Sequence, residues 1–206
     1  MLADGNYVFH VAGQDPNDNY YLAGAFTVQN GVITAGEQDM VDGGQNASDN
    51  ISASGSSLSV VNGNIQIVLN TGDTGVGVNG VETFRGTVVS GVRVLISEFD
   101  TFATANGSID QQTSTAAPAG GYAFNLVGLD GTANQNPFVF GGILNITGSS
   151  INTSNSIFDY NDSGSVGQGQ LFTSGSVAAP DSFGRVVVTL TPSAASGIPY
   201  PLALAG

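Results

Sequence analysis

Hydrophobic and polar side chains alternate along most of this chain with a period of two. Tyr7, Phe9 and Val11 share one phase, and Val8, His10 and Ala12 the other. The same alternation runs through Leu22, Gly24, Phe26 and Val28, and through Ile65, Ile67 and Leu69. Turn residues separate the runs: Asn30-Gly31, Asp42-Gly43-Gly44, Asn62-Gly63, Asn79-Gly80, Ser90-Gly91 and Asn106-Gly107. No segment carries a capped helical period, so the pattern predicts an all-β protein. The first half reads as eight strands, near residues 5–12, 20–29, 32–40, 51–60, 64–70, 82–89, 92–98 and 102–112. Consecutive hairpins make an antiparallel meander. Eight such strands close into an up-and-down barrel or fold over as a sandwich; the barrel is the first expectation because closure removes both free edges.

The strands come twice. Gly5-Asn6-Tyr7-Val8-Phe9-His10-Val11-Ala12-Gly13-Gln14-Asp15 aligns with the run from Gly120-Gly121-Tyr122-Ala123-Phe124 to Gly128-Leu129-Asp130, both reading G-x-Y-x-F-x-(V/L)-x-G-x-D. Leu22–Val28 aligns with Phe140–Ile146, Asp39–Gly44 with Asp159–Gly164, and Gly63–Leu69 with Gly184–Leu190. The offset grows from 115 (Gly5 to Gly120) to 121 (Gly63 to Gly184), as small insertions at turns would produce. The expected organisation is a β-module over 1–113, a linker rich in Thr, Ser, Ala and Pro over 114–119, and a second β-module over 120–206. The second module lacks its last two strands, because Tyr200–Gly206 aligns with about Phe84–Gly91. Its open ladder predicts an assembly edge at Tyr200, Leu202 and Leu204.

These blocks resemble a β-module that occurs, often in tandem, in bacterial exported and cell-surface proteins. The shared features are Gly5–Asp15, the Gly24–Phe26 strand, the acidic turn Asp39–Asp42 and the Val92–Asp100 strand end. The resemblance covers nearly all of the first module and about three quarters of the second. It implies this architecture and export, and it carries no activity.

Composition narrows the partners. Charged residues make up only 9% of the chain and lysine is absent, leaving Arg85, Arg93 and Arg185 against a formal charge of −13. Nucleic acid and anionic membranes need clustered cations to release counterions, so both are excluded as expected partners. Without cysteine the fold has neither disulfides nor thiolate metal sites. No apolar run approaches the roughly 18 residues of a membrane-spanning helix. The chain opens directly into a strand at Gly5 with no basic, apolar leader, so an export signal is expected to lie outside it. A secreted or cell-surface location is the expectation.

Candidate chemistry is sparse. The one histidine, His10, sits on the outward phase and aligns with Asn125, leaving no base for a nucleophile. Glu37, Glu82 and Glu98 have no matching acids in the second module, and no Trp is present to stack a sugar. The chain is therefore expected not to be an enzyme. Calcium is the better chemical idea. Asp15, Asn17 and Asn19 place oxygens at alternate positions, and Asp159, Asn161 and Ser163 do so again, with Gly164 in the sixth place. Phe26 and Gln170 stand where a calcium loop carries its twelfth-position glutamate, and ordinary turns favour the same residues. N-x-S/T triplets begin at Asn46, Asn50, Asn106, Asn145, Asn152 and Asn161, as an Asn/Ser/Thr-rich chain produces by composition alone. Tyr20, Tyr21, Phe138 and Phe140 read as core and rim aromatics.

The functional expectation is a non-catalytic structural or adhesive module of an extracellular assembly, a filament or surface array. Its subunits would join by strand complementation, through self-association or a neighbouring β-module. The alternative is a small-ligand-binding barrel of lipocalin-like shape. Tyr7, Phe9, Phe26 and Leu69 are large enough to fill such an interior.

Overall fold

The computed structural model describes residues 2–130, 136–198 and 201–206. Every regular element is a strand except one short 3-10 turn at Ala194–Ser196, so the protein is all-β. The chain forms two units, Met1–Thr115 and Ala116–Gly206, which divide inside the expected linker.

The first unit is a closed antiparallel barrel with its strands in sequence order. They are β1 (Gly5–Gln14), β2 (Asn19–Gln29), β3 (Val32–Asp42), β4 (Gln45–Val61), β5 (Asn64–Asn70), β6 (Val81–Ser90), β7 (Arg93–Glu98) and β8 (Thr104–Gln111). Closure comes from β1 pairing with β8, Phe9 lying opposite Ile109. The alternation decides which side chains enter. Tyr7, Phe9, Val11, Leu22, Phe26, Ile67, Leu69 and Phe84 are buried together, whereas His10 is exposed. The rings of Tyr7 and Phe26 stack at 5.7 Å, and Phe9 lies 6.1 Å from Phe84. Each such side chain contributes about 1.5–3 kcal/mol by leaving water. The barrel thus fills itself, and the sandwich is not formed.

Two hairpins have the left-handed backbone that Asn-Gly favours: Asn30 and Gly31 at φ 53° and 73°, Asn62 and Gly63 at 53° and 83°. Two turn expectations need correction. Asn106-Gly107 lies inside β8, and the glycine is there for close approach, since a Cβ on Gly107 would come 1.8 Å from the His10 carbonyl oxygen of β1. Asn79-Gly80 ends a longer β5–β6 loop instead of forming a two-residue hairpin. The fourth strand begins at Gln45 and not near 51, because Asp42 pairs directly with Gln45 across a tight turn.

The second unit is an open sheet. Its strands are β9 (Gly120–Leu129), β10 (Pro137–Thr147), β11 (Ser150–Ile151), β12 (Ile157–Asp162), β13 (Ser165–Val177), β14 (Val187–Pro192) and β15 (Leu202–Ala205). β10 pairs with β9 on one side and with β11 and β12 on the other; β13, β14 and β15 follow in turn. β11 and β12 together correspond to β3, interrupted at 152–156. There the buried Ser156 accepts the Asn145 N–H at 2.9 Å and donates to the Asn152 carbonyl at 2.8 Å. Phe140 centres the core, 4.7 Å from Phe158, 5.2 Å from Phe124 and 6.3 Å from Phe172. Among the described residues no strand joins β9 to β15, so this sheet is open.

Candidate functional site

One end of the barrel gathers most of the first unit's acids. The loops there follow β1, β3, β5 and β7, and they bring Asp15, Asp18, Asp42, Asp73 and Asp100 to the rim. Beneath the rim, two inward strand positions are acidic instead of apolar. Glu82 is in phase with Phe84, and Glu98 with Val94 and Ile96. Glu82, Glu98 and Asp100 each present an oxygen within 4.8 Å of the others. From β2, the buried Tyr20 donates its hydroxyl to Glu82 Oε1 at 2.6 Å.

Asp100 folds the β7–β8 loop over this cluster, accepting the Thr83 N–H and the Phe102 N–H, both at 2.9 Å. Phe102 then packs edge-on against Tyr20 at 5.7 Å. Among the described residues, no cationic side chain balances the acids here: Arg85 lies over the Phe99 ring at 3.9 Å and bonds Gln66, and Arg93 pairs with Asp110 at 2.6 Å. Neutralisation therefore falls to protons. Burial first, then Glu82, pushes Glu98 up to about 11. Glu82 is also raised, chiefly by burial, although the bonds from Glu98 and Tyr20 hold it down. Burial and the Glu82 charge raise Tyr20. Burial beside Glu82 thus favours the neutral form of Glu98, and among the described residues no donor outside this carboxyl cluster reaches Glu82 Oε2 or either Glu98 oxygen. The same oxygens are hard donors of the kind that hold a divalent cation.

The sequence-expected cation residues lie elsewhere. Asp15 Oδ1 accepts the N–H groups of Asn17 and Asp18 at 2.7 and 2.6 Å, and Asn17 donates its side-chain amide to Asp15 Oδ2. These bonds hold Asp15 below the usual carboxylate range. Asn19 instead accepts the Gln14 side-chain amide at 3.2 Å. In the second unit, Asp159 accepts the Gly169 N–H at 2.6 Å, Asn161 accepts the Gly164 N–H at 2.8 Å, and Ser163 donates to the Pro137 carbonyl at 3.4 Å. The first group bonds within the β1–β2 turn, whereas the second bonds both its own turn and the neighbouring strands β10 and β13. Sequence reasoning missed the Glu82–Glu98 pairing, although the signal was present: two glutamates on the inward phase of their strands.

The second unit presents a different candidate, its two edges. Val186 and Gly206 exchange backbone hydrogen bonds at 2.9 and 3.2 Å. By antiparallel alternation, the N–H groups of Ala203 and Ala205 then point away from β14. The Asp130 N–H bond to the Asn136 carbonyl, at 2.8 Å, sets the same alternation in β9 and directs the N–H groups of Ala123, Asn125 and Val127 outward. Among the described residues, no strand pairs with these outer edges. Leu202 and Leu204 are half-buried against the second core, as are Phe124 and Leu126, while Tyr122 is 43% exposed. Tyr200 lies outside the described residues. No family model matches this chain, and neither a curated protein nor a solved structure matches it.

Proposed function

We propose that the protein is a non-catalytic structural module of an extracellular bacterial assembly, whose subunits are joined by strand addition to its second unit. One observation carries this reading: β9 and β15 are open where the equivalent β1 and β6 of the first unit hold β8 and β7. A two-stranded ribbon is the missing piece. It would satisfy both ladders and cover the half-exposed Tyr122, Phe124 and Leu204. The lipocalin-like alternative has less support, because aromatic and aliphatic side chains occupy the barrel interior.

Light scattering and electron microscopy of the purified chain test the proposal. The unaltered protein is expected to form oligomers or fibres by direct pairing of the open β9 and β15 edges of neighbouring copies, without exchange of the β7–β8 hairpin. Ala203→Pro and Ala123→Pro, which each remove an outward N–H without touching the β14 or β10 ladder, are expected to lower particle size with the circular dichroism unchanged. A monodisperse monomer that recruits no added strand would overturn the reading.

A further inference from the structure

The two units differ in the chemistry that a closing hairpin meets, and this difference deepens the strand-addition reading, on which it rests. In the barrel, β7 brings Glu98 opposite Phe84, next to Glu82 and near Tyr20. The registers identify the equivalent positions in the open sheet. Phe9 faces Gly24 as Phe124 faces Gly142, so Phe138 stands in the place of Tyr20. Leu69 faces Glu82 as Leu190 faces Leu202, so Leu202 stands in the place of Glu82, and Leu204 in the place of Phe84, which corrects the sequence alignment of Tyr200 with Phe84 by four residues. Tyr20 and Glu82, the polar groups that β2 and β6 present to Glu98 in the barrel, are thus replaced by hydrocarbon. All three replacements pack against the apolar core of the second unit.

We propose that Phe138, Leu202 and Leu204 are specificity residues: they admit a β-hairpin from a neighbouring module with an apolar side chain at the Glu98 position, and they refuse the β7–β8 hairpin of a second copy. A carboxyl entering this socket would lose its water and find no polar partner on the second unit, only Asp100, the acid that the hairpin itself carries beside Glu98. The barrel that gave up its hairpin would retain Glu82 and Tyr20 without their partner. Both ends of an exchange between identical copies are therefore unfavourable, and like chains do not polymerise by swapping this ribbon.

The test titrates the full-length chain with labelled synthetic peptides spanning residues 92–112 and reads fluorescence anisotropy. The Glu98→Leu peptide is expected to bind about tenfold or more tightly than the unmodified one. A Ser97→Leu peptide, altered at the neighbouring exposed position, is expected to gain no such advantage. In a Phe138→Tyr/Leu202→Glu chain the preference for the Glu98→Leu peptide over the unmodified one should shrink or reverse. Equal binding of the Glu98→Leu and unmodified peptides to the unaltered chain, or a preference for the unmodified peptide, overturns this inference and leaves strand addition standing. Binding of none of the peptides overturns strand addition and this inference together.

Discussion

The two units are built from one strand pattern but stabilised differently. In the barrel each strand has two neighbours, Tyr7 is fully buried, and the structure tolerates two carboxyls below its rim. In the open sheet the equivalent Tyr122 is 43% exposed, and hydrocarbon replaces the acids. Closure explains both differences. A completed barrel pairs both edges of every strand and can offset the cost of two carboxyls below its rim. A sheet lacking two strands has less burial to draw on, and a buried carboxyl beside an open edge would have no fixed partner. The lesson is that a polar core group needs a closed frame that supplies its partner.

The comparison breaks most sharply at Phe140, whose ring touches four others. Phe140→Ala should cost about 3–5 kcal/mol, enough to abolish the melting of the second unit. Calorimetry should still find the first unit's transition; loss of both would mean that the units do not fold independently.

A smaller effect is expected from making the barrel resemble its partner. Glu82→Leu leaves Glu98 and the Tyr20 hydroxyl without their bonds and should cost the first unit about 1–3 kcal/mol. Tyr20→Phe/Glu82→Leu/Glu98→Leu, which copies the second unit's apolar solution, should recover most of that loss in chemical denaturation. A triple variant weaker than the single one would show that the acids stabilise the barrel in their own right.

The gentlest test is pH. Glu98 is raised in the folded barrel from 4.5 to about 11, so between these values the folded state holds a proton that the unfolded chain has lost. The first unit should therefore be most stable near and below the ordinary glutamate range and should weaken as pH rises, by at most about 1.4 kcal/mol per unit for this one proton. Glu98→Gln keeps the shape and removes the proton. Melts at pH 5 and 8 should differ less in this variant than in the parent; an unchanged difference would assign the slope to other acids.

Much of the fold was legible because a strand reports its own facing. The alternation through Tyr7, Phe9 and Val11 named the side chains that are buried, and Asn30-Gly31 and Asn62-Gly63 marked real hairpins. Asn106-Gly107 misled, because glycine serves a close approach between strands as readily as a turn. The acidic turns around Asp15 and Asp159 were visible, but a linear spacing does not say which oxygens the backbone will occupy. The Glu82–Glu98 pair was half legible. Its phase was in the sequence, but its meeting with Tyr20, 62 positions from Glu82, was not.

The sequence by itself determined the period of two and the duplication, because these depend on local order along the chain. Tertiary structure alone decided that the first meander closes as a barrel, and that closure brings the buried Tyr20 and Glu82 together with the half-buried Glu98 and Asp100. The physical reason is that side-chain facing is a property of each strand, whereas shielding from water and the meeting of acids depend on distances between strands far apart in sequence.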